Sequence, residues 1–449
     1  MFKKLRFRLE LFGRLTQKYG LIAVLGILAG VAIHLSRPLL AAWWQSQTGQ
    51  NQTRIGLKGN YTFADLPLSV TKQISFGLTQ LVDNQKPILS PLSIYYDLQN
   101  NNTEYTFYLN SDLIWHDQQP VKVRDINPEL KGITITELSP QQLKITTKEP
   151  YSPLLALLSQ PLFKNKTLGL GDYQVDDVSY RGSWIKQLRL KNTQDDNYIV
   201  YKFFTSEKDL LTSFKLGETD IISTGENPQE LLRDQPQLKM VKKINTTEKY
   251  LAIFINTTSS GLNNKSIRQA LAYATSKSTD PNERCLGPIP PQSWAYNPNI
   301  KQYLFDPARA KELFKTDDDN LPLQDITLLV SDPDLITYAD EIKTNWQQTL
   351  GLNVTVQLSQ GQAETDFQAI LTYWPIISDP DLYQYWHSTQ STNITRLNNS
   401  KIDRLLEEGR TTFDSSQRRS IYLDFQKTLL EESPAIFLKF PIEYQLSRS

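Results

Sequence analysis

A histidine between a tryptophan and an aspartate, Trp115-His116-Asp117, is the first place in this sequence where chemistry could reside. An imidazole beside a carboxylate can act as a general base when the acid orients the ring. Adjacent residues on a strand point to opposite faces, so Asp117 is poorly placed to orient His116. No Gly-x-Ser-x-Gly elbow supplies a nucleophile. The expectation is therefore structural: His116 and Asp117 satisfy backbone groups of a turn while Trp115 packs. Metal chemistry fares no better. His34, His116 and His387 are the only histidines, and no His-Glu-x-x-His pattern occurs. Cys285 is the only cysteine, which excludes an intramolecular disulfide and Cys-based zinc sites. Asp332, Asp334, Asp379 and Asp381 form two Asp-Pro-Asp steps without EF-hand spacing and are expected to be solvated turn caps. Nothing selects a pair of carboxylates for glycoside hydrolysis. The phosphate-binding pattern Gly-x4-Gly-Lys-Ser/Thr is absent, so ATP hydrolysis is not expected. No catalytic residue, metal or cofactor is assigned.

The elements that position these residues sit in a chain of 449 residues, 39% hydrophobic and 21% charged, a globular composition. Its 48 basic and 48 acidic residues balance only on average. Residues 1–44 hold seven basic residues and one acid, leaving 41 basic and 47 acidic in the remainder. An acidic body argues against nucleic-acid binding. Residues 1–19 read as a basic cytoplasmic tail and residues 20–44 as a transmembrane signal-anchor, with Trp43 and Trp44 at the far interface. A spanning helix needs about 20 residues, which the apolar run reaches only by including Pro38 to Trp44. A cleaved signal peptide is the rival; Leu40 and bulky Trp43 around Ala41-Ala42 weigh against it. His34 reads as a tolerated polar residue. The positive flank places the N-terminus in the cytoplasm and residues 45–449 outside.

Beyond a polar linker (45–52), strands are expected at 54–57, 105–110, 198–204, 251–256, 326–331, 353–358, 367–374 and 435–440, with a hairpin over 133–148. Helices are expected over 207–217, 265–277, 306–314, 338–351, 401–411 and 416–432; the stretch 66–82 also reads as mainly helical. Asp306 with Pro307 opens one helix and Gly351 closes another. Strands alternating with helices predict α/β lobes with mixed sheets.

Several segments, taken in order, resemble the family 5 extracellular solute-binding proteins, the peptide, dipeptide and nickel receptors of ABC importers. They are YTFYLNSDLIWHDQQPVKVRDI (105–126), GLGDY (169–173), LGETDII (216–222), FIN with SIRQALAYATSK (254–256, 266–277), GPIPPQSWAYNP with FDPARAKELF, the SDPD loop, and residues 405–438. The resemblance implies a two-lobed periplasmic-binding-protein-like fold, type II and cluster C-like. It implies a first lobe over 53–255 with a small subdomain near 76–164, a second lobe over 256–431 and a return over 432–449. Hinges are implied near 253–258 and 432–438, with ligand held between the lobes. The family usually has Gly at the position of Gln118; since Gln rarely takes positive φ, a different turn geometry is expected. In peptide-binding relatives an Asp four residues before the Pro of the Asp-Pro step pairs with the ligand's α-amino group. Here that position is Ile376. Either another acid serves, Glu226 in the loop Ser223-Thr224-Gly225-Glu226 being one candidate, or the ligand lacks a buried cation; Tyr373 and Trp374 are placed to offer apolar faces or to fill lobe core. The implied function is a membrane-anchored substrate-binding subunit that captures oligopeptides and presents them to a permease powered by separate ATPase subunits. A ligand sensor or peptide chaperone on the same scaffold is the alternative, and an extracytoplasmic hydrolase a more distant one.

Overall fold

The computed structural model describes residues 51–448 apart from 83–85, 127, 129, 236, 316–322 and 360–366. The expected tail (1–19), the anchor (20–44) and most of the linker therefore lie outside the described residues. Within them, no helix is long and apolar enough to cross a membrane.

Asn51–Lys58 lies in the middle of a seven-stranded sheet, parallel both to Asn197–Phe204 and to Ile221–Thr224. Parallel neighbours need a crossover, and the helix Glu207–Lys215 supplies it. Ser206 caps that helix by accepting from the Asp209 N–H, and Leu210 and Phe214 bury against Ile222 and Leu446. Outward on one side run Trp184–Asn192 and Tyr173–Arg181; on the other, the C-terminal Ile442–Ser447 and Lys239–Ile244. The second sheet has five strands, ordered Asn353–Leu358, Asp325–Val330, Ala369–Pro375, Lys249–Ile255 and Ala435–Lys439. Asp325–Val330 is parallel to the first and third of these, and Lys249–Ile255 is antiparallel to both its neighbours. As expected, Gly351 (φ 73°) ends the helix Ile336–Leu350, and the Asp306 carboxylate accepts from the Arg309 N–H at 2.9 Å. Both sheets are mixed, one per lobe.

The chain leaves the seven-stranded sheet at Ile244 and enters the five-stranded one at Lys249; it returns between Lys439 and Ile442. The passages are thus 245–248 and 440–441, outside the ranges 253–258 and 432–438 that the resemblance implied. The apolar runs at the expected hinges are neighbouring strands of the second lobe, Lys249–Ile255 inside its sheet and Ala435–Lys439 at its edge; Leu251 to Ile255 are at most 1% exposed.

The small subdomain is a four-stranded antiparallel sheet around Tyr105, Phe107, Trp115, Leu143 and Ile145. Backbone contact at GLGDY joins it to the first lobe. A Cβ on Gly169 would stand 2.0 Å from the Ile74 carbonyl oxygen, so only glycine allows that approach. Two expectations change here. The stretch 66–82 is helical only over Leu68–Ile74, and Thr79–Val82 is a strand. Gln118 does adopt positive φ (63°), so the turn keeps left-handed geometry with a side chain that strains it.

Candidate ligand cleft between the lobes

Parallel strands share a direction, and the direction here locates the cleft. Lys58, Phe204 and Thr224 end the three parallel strands of the first sheet at one edge. The chain crosses from that same edge, because Ile244 ends and Ile442 begins strands there. On the second sheet the crossings meet the edge formed by Val330, Pro375, Lys249 and Lys439. The carboxyl ends of both parallel sets therefore face one seam, the usual ligand position in open α/β sheets. Lys58 Nζ spans it, 3.7 Å from Glu207 of its own lobe and 3.6 Å from Asp334 of the other. The Lys58–Asp334 pair is exposed, and such surface pairs contribute about 0–1 kcal/mol.

A chain of hydrogen bonds connects the two rims through the crossing. Ser223 Oγ donates to Glu443 Oε2 at 3.1 Å, and Asn245 Nδ2 donates to Glu443 Oε1 at 2.8 Å. The Asn245 side-chain oxygen accepts from the N–H groups of Thr247 and Glu248, and the Ile376 N–H donates to the Glu248 carbonyl at 2.8 Å. Ser223 and Ile376, on different lobes, are thus connected through the passage 245–248. Thr224 is buried and its hydroxyl accepts from the Glu226 N–H at 3.1 Å. A Cβ on Gly225 would meet nothing within 4 Å, and Glu226 is exposed, its carboxylate without a hydrogen bond or ion pair among the described residues.

Tyr373 and Trp374 alternate across their strand and do not share a face. Lys249 Nζ sits 4.6 Å above the Tyr373 ring, whose hydroxyl pKa is raised by burial and by Asp332 and Asp334. Trp374 packs on the opposite face, 4.7 Å from Phe254 and 5.3 Å from Tyr385 between ring centroids, and its buried Nε1 has no acceptor among the described residues. The strand's backbone completes the site. Leu371 C=O accepts from Ser331 N–H toward Asp325–Val330, and Ile376 N–H points the other way, to Glu248. By alternation, the N–H and C=O of Tyr373 and the C=O of Pro375 point away from Lys249–Ile255. Pairing with Asp325–Val330 stops at Leu371, so this stretch borders no strand on that side.

The Asp-Pro-Asp steps divide. Asp332 does cap a turn, accepting from the Asp334 N–H at 3.0 Å. Asp379 and Asp381 are not solvated, contrary to the expectation. Asp379 is buried in a two-pronged pair with Arg418 at 2.9 and 2.5 Å, because a guanidinium inside the lobe needs a counter-charge. Asp381 accepts from Tyr151 OH and Arg410 Nε, both at 3.1 Å, joining the small subdomain to the second lobe. Burial raises its pKa against the opposing pull of Arg410. The His116 ring does serve a turn: its Nδ1 accepts from the Gly169 N–H at 3.2 Å, and its Nε2 lies 2.9 Å from the Gly171 carbonyl. Burial lowers its pKa, which keeps that acceptor neutral. Asp117 accepts from the Gln119 N–H, and Trp115 is fully buried.

The family model for bacterial extracellular solute-binding proteins, family 5, middle region, matches residues 92–396. This chain belongs to that family. The family is one of solute-binding proteins, not of enzymes. The probable D,D-dipeptide-binding periplasmic protein DdpA of Escherichia coli is 26% identical over 238 residues, 47% of this chain and 45% of that protein, so the match spans less than half of that relative. The glutathione-binding protein GsiB of Salmonella typhimurium is 22% identical over 486 residues, 92% of each chain. In fold, the chain is similar to the oligopeptide-binding protein AppA of Bacillus subtilis, solved with a nonapeptide: TM-score 0.70 at 16% identity, covering 89% of this chain and 95% of that one.

Proposed function

We propose that this family 5 protein is the membrane-anchored, extracytoplasmic substrate-binding subunit of an ABC importer, and that it captures oligopeptides between two lobes that close by hinge motion. The observation that carries the reading is the strand edge at Tyr373 and Pro375, which opens on the seam with backbone groups that no neighbouring strand pairs among the described residues; the Tyr373 C=O takes only the Thr372 hydroxyl, at 3.3 Å. A peptide of any sequence can add to such an edge through its own main chain, while wet side-chain pockets tolerate variety. Ser223, Thr224, Gly225 and Glu226 would line the cleft from the first lobe; Tyr373, Trp374 and Ile376 would line it from the second. The lobes are taken as 53–244 with the return from 442, including the small subdomain near 76–164, and 249–439. The passages at 245–248 and 440–441 act as the hinge, and the hydrogen-bond chain from Ser223 to Ile376 runs through the first of them. Anchoring rests on residues 20–44, and the permease and ATPase partners on family membership and the relatives' peptide-binding names.

Micromolar capture corresponds to about −8 kcal/mol, within reach of a few main-chain hydrogen bonds and apolar contacts. The test is native mass spectrometry of the full chain purified in detergent without refolding. A mixture of short peptides is expected to co-purify; a single sugar or a metal complex would contradict the assignment.

A further inference from the structure

We propose that the second-lobe rim of the cleft receives an anionic group, and that Lys249 is the residue that binds it. The ligand being a peptide rests on the reading above; the charge of the site does not. Where peptide-binding relatives place an acid for a ligand ammonium, this chain has Ile376, and its N–H is already committed to Glu248. Lys249 stands beside it, directly opposite Pro375 in register. Its side chain is exposed and rests on the Tyr373 ring at 4.6 Å. It has no carboxylate within ion-pair distance among the described residues. An aromatic face orients an ammonium without consuming its N–H donors. Lys439 repeats the arrangement. It pairs with Leu251, two residues along on the same face, and its Nζ lies 4.9 Å from the Tyr338 ring, again without an ion-pair partner among the described residues.

The acids near this patch are engaged or turned away. Asp334 holds Lys58 and Asp332 caps the turn before it. Glu248 is adjacent to Lys249 along the chain, so its side chain points to the other face. Glu341 lies near enough to Tyr338 to raise its hydroxyl pKa and forms no ion pair with Lys249 or Lys439 among the described residues. A carboxylate on a peptide lying along the Tyr373–Pro375 edge could reach over the Tyr373 ring to the Lys249 ammonium, which is in ion-pair contact with no acid among the described residues. Charge-assisted hydrogen bonds to such a carboxylate are the stronger kind.

The test is calorimetric binding to the full chain in detergent, after exchange of co-purified ligand. The probes are Ala-Ala-Ala, its N-acetyl form, its C-terminal amide, Ala-Glu-Ala amide and citrate. Amidation should weaken binding by about tenfold or more, while N-acetylation should not. Lys249→Gln should abolish that difference and Lys249→Arg should retain it, with melting temperatures unchanged because the side chain is exposed. Recovery with Ala-Glu-Ala amide would assign the anion to an acidic side chain rather than the C-terminus. If only citrate binds, and binds through Lys249, the peptide reading fails and the anionic site stands. Loss on acetylation but not amidation, wild-type affinity in Lys249→Gln, or no binding of any anionic probe would overturn the proposal.

Discussion

Replacing Asp379 with alanine tests whether the second lobe fixes its cleft loop by a buried charge pair. Asp379 and Arg418 are 7% and 8% exposed at the side chain. The guanidinium lies 5.1 Å from the Trp294 ring and 5.4 Å from the Tyr422 ring, and its Nε donates to the Gly409 carbonyl at 2.8 Å. Burial opposes its charge, and the Asp379 carboxylate together with Tyr422 overcomes that and raises its pKa. Asp379→Ala leaves this cation buried without a counter-charge, which costs about 3–5 kcal/mol. It also frees the Asp381 N–H, which now donates to Asp379 Oδ1 at 3.0 Å. Urea unfolding followed by tryptophan fluorescence reads the loss, since Trp294, Trp346, Trp374 and Trp386 all lie in this lobe. The double variant Asp379→Leu with Arg418→Met removes both charges and should recover most of the stability. A single-variant loss below about 1 kcal/mol would mean that water screens the pair as at a surface, and the reasoning would fail.

Gln118→Gly should stabilise the protein by about 0.5–1 kcal/mol, the left-handed strain relieved minus the entropy that glycine adds to the unfolded chain; urea midpoints check it, and a loss would mean that the exposed Gln118 side chain makes a contact worth more than its strain. For His116 the folded pKa is lowered from 6.5 by burial. A lowered value means the unfolded chain binds the proton first, so this contribution to stability is complete above about 6.5 and lost as pH falls below it. Unfolding at pH 7 and 5 should show the wild type losing stability relative to His116→Gln; parallel curves would refute it.

The second half of the chain was legible because caps and periodicity agree there. Asp306-Pro307, Gly351 and the apolar face of Lys265–Tyr273 each specify an element locally. The hairpin Tyr173–Arg181 with Trp184–Asn192 escaped notice because no residue of its first strand is buried and its exposed residues come in adjacent pairs, which hides the alternation. Lys239–Ile244 is exposed along nearly its whole length and carries no apolar pattern at all. The passages between the two sheets lie apart from the ranges expected for them for the opposite reason: the strands are apolar up to the passage, and only pairing reveals which sheet they join. In the candidate cleft, Tyr373, Trp374 and Ile376 could be named from their loop. Lys249 could not, because its place depends on the register with Pro375, which lies far along the chain. The pairing of Asp379 with Arg418 was hidden likewise, since an Asp-Pro-Asp step reads as a turn wherever it lies.

Hydrogen–deuterium exchange of the full chain, with and without a peptide that binds it, addresses the peptide-capture reading most directly. The amide of Tyr373, free of any strand neighbour in the absence of ligand, should become protected together with the loop 223–227 on the opposite rim. Protection confined to the groove between residues 113–118 of the small subdomain and residues 191–196 of the first lobe, with Tyr373 exchanging as before, would place the guest elsewhere and contradict capture at the seam.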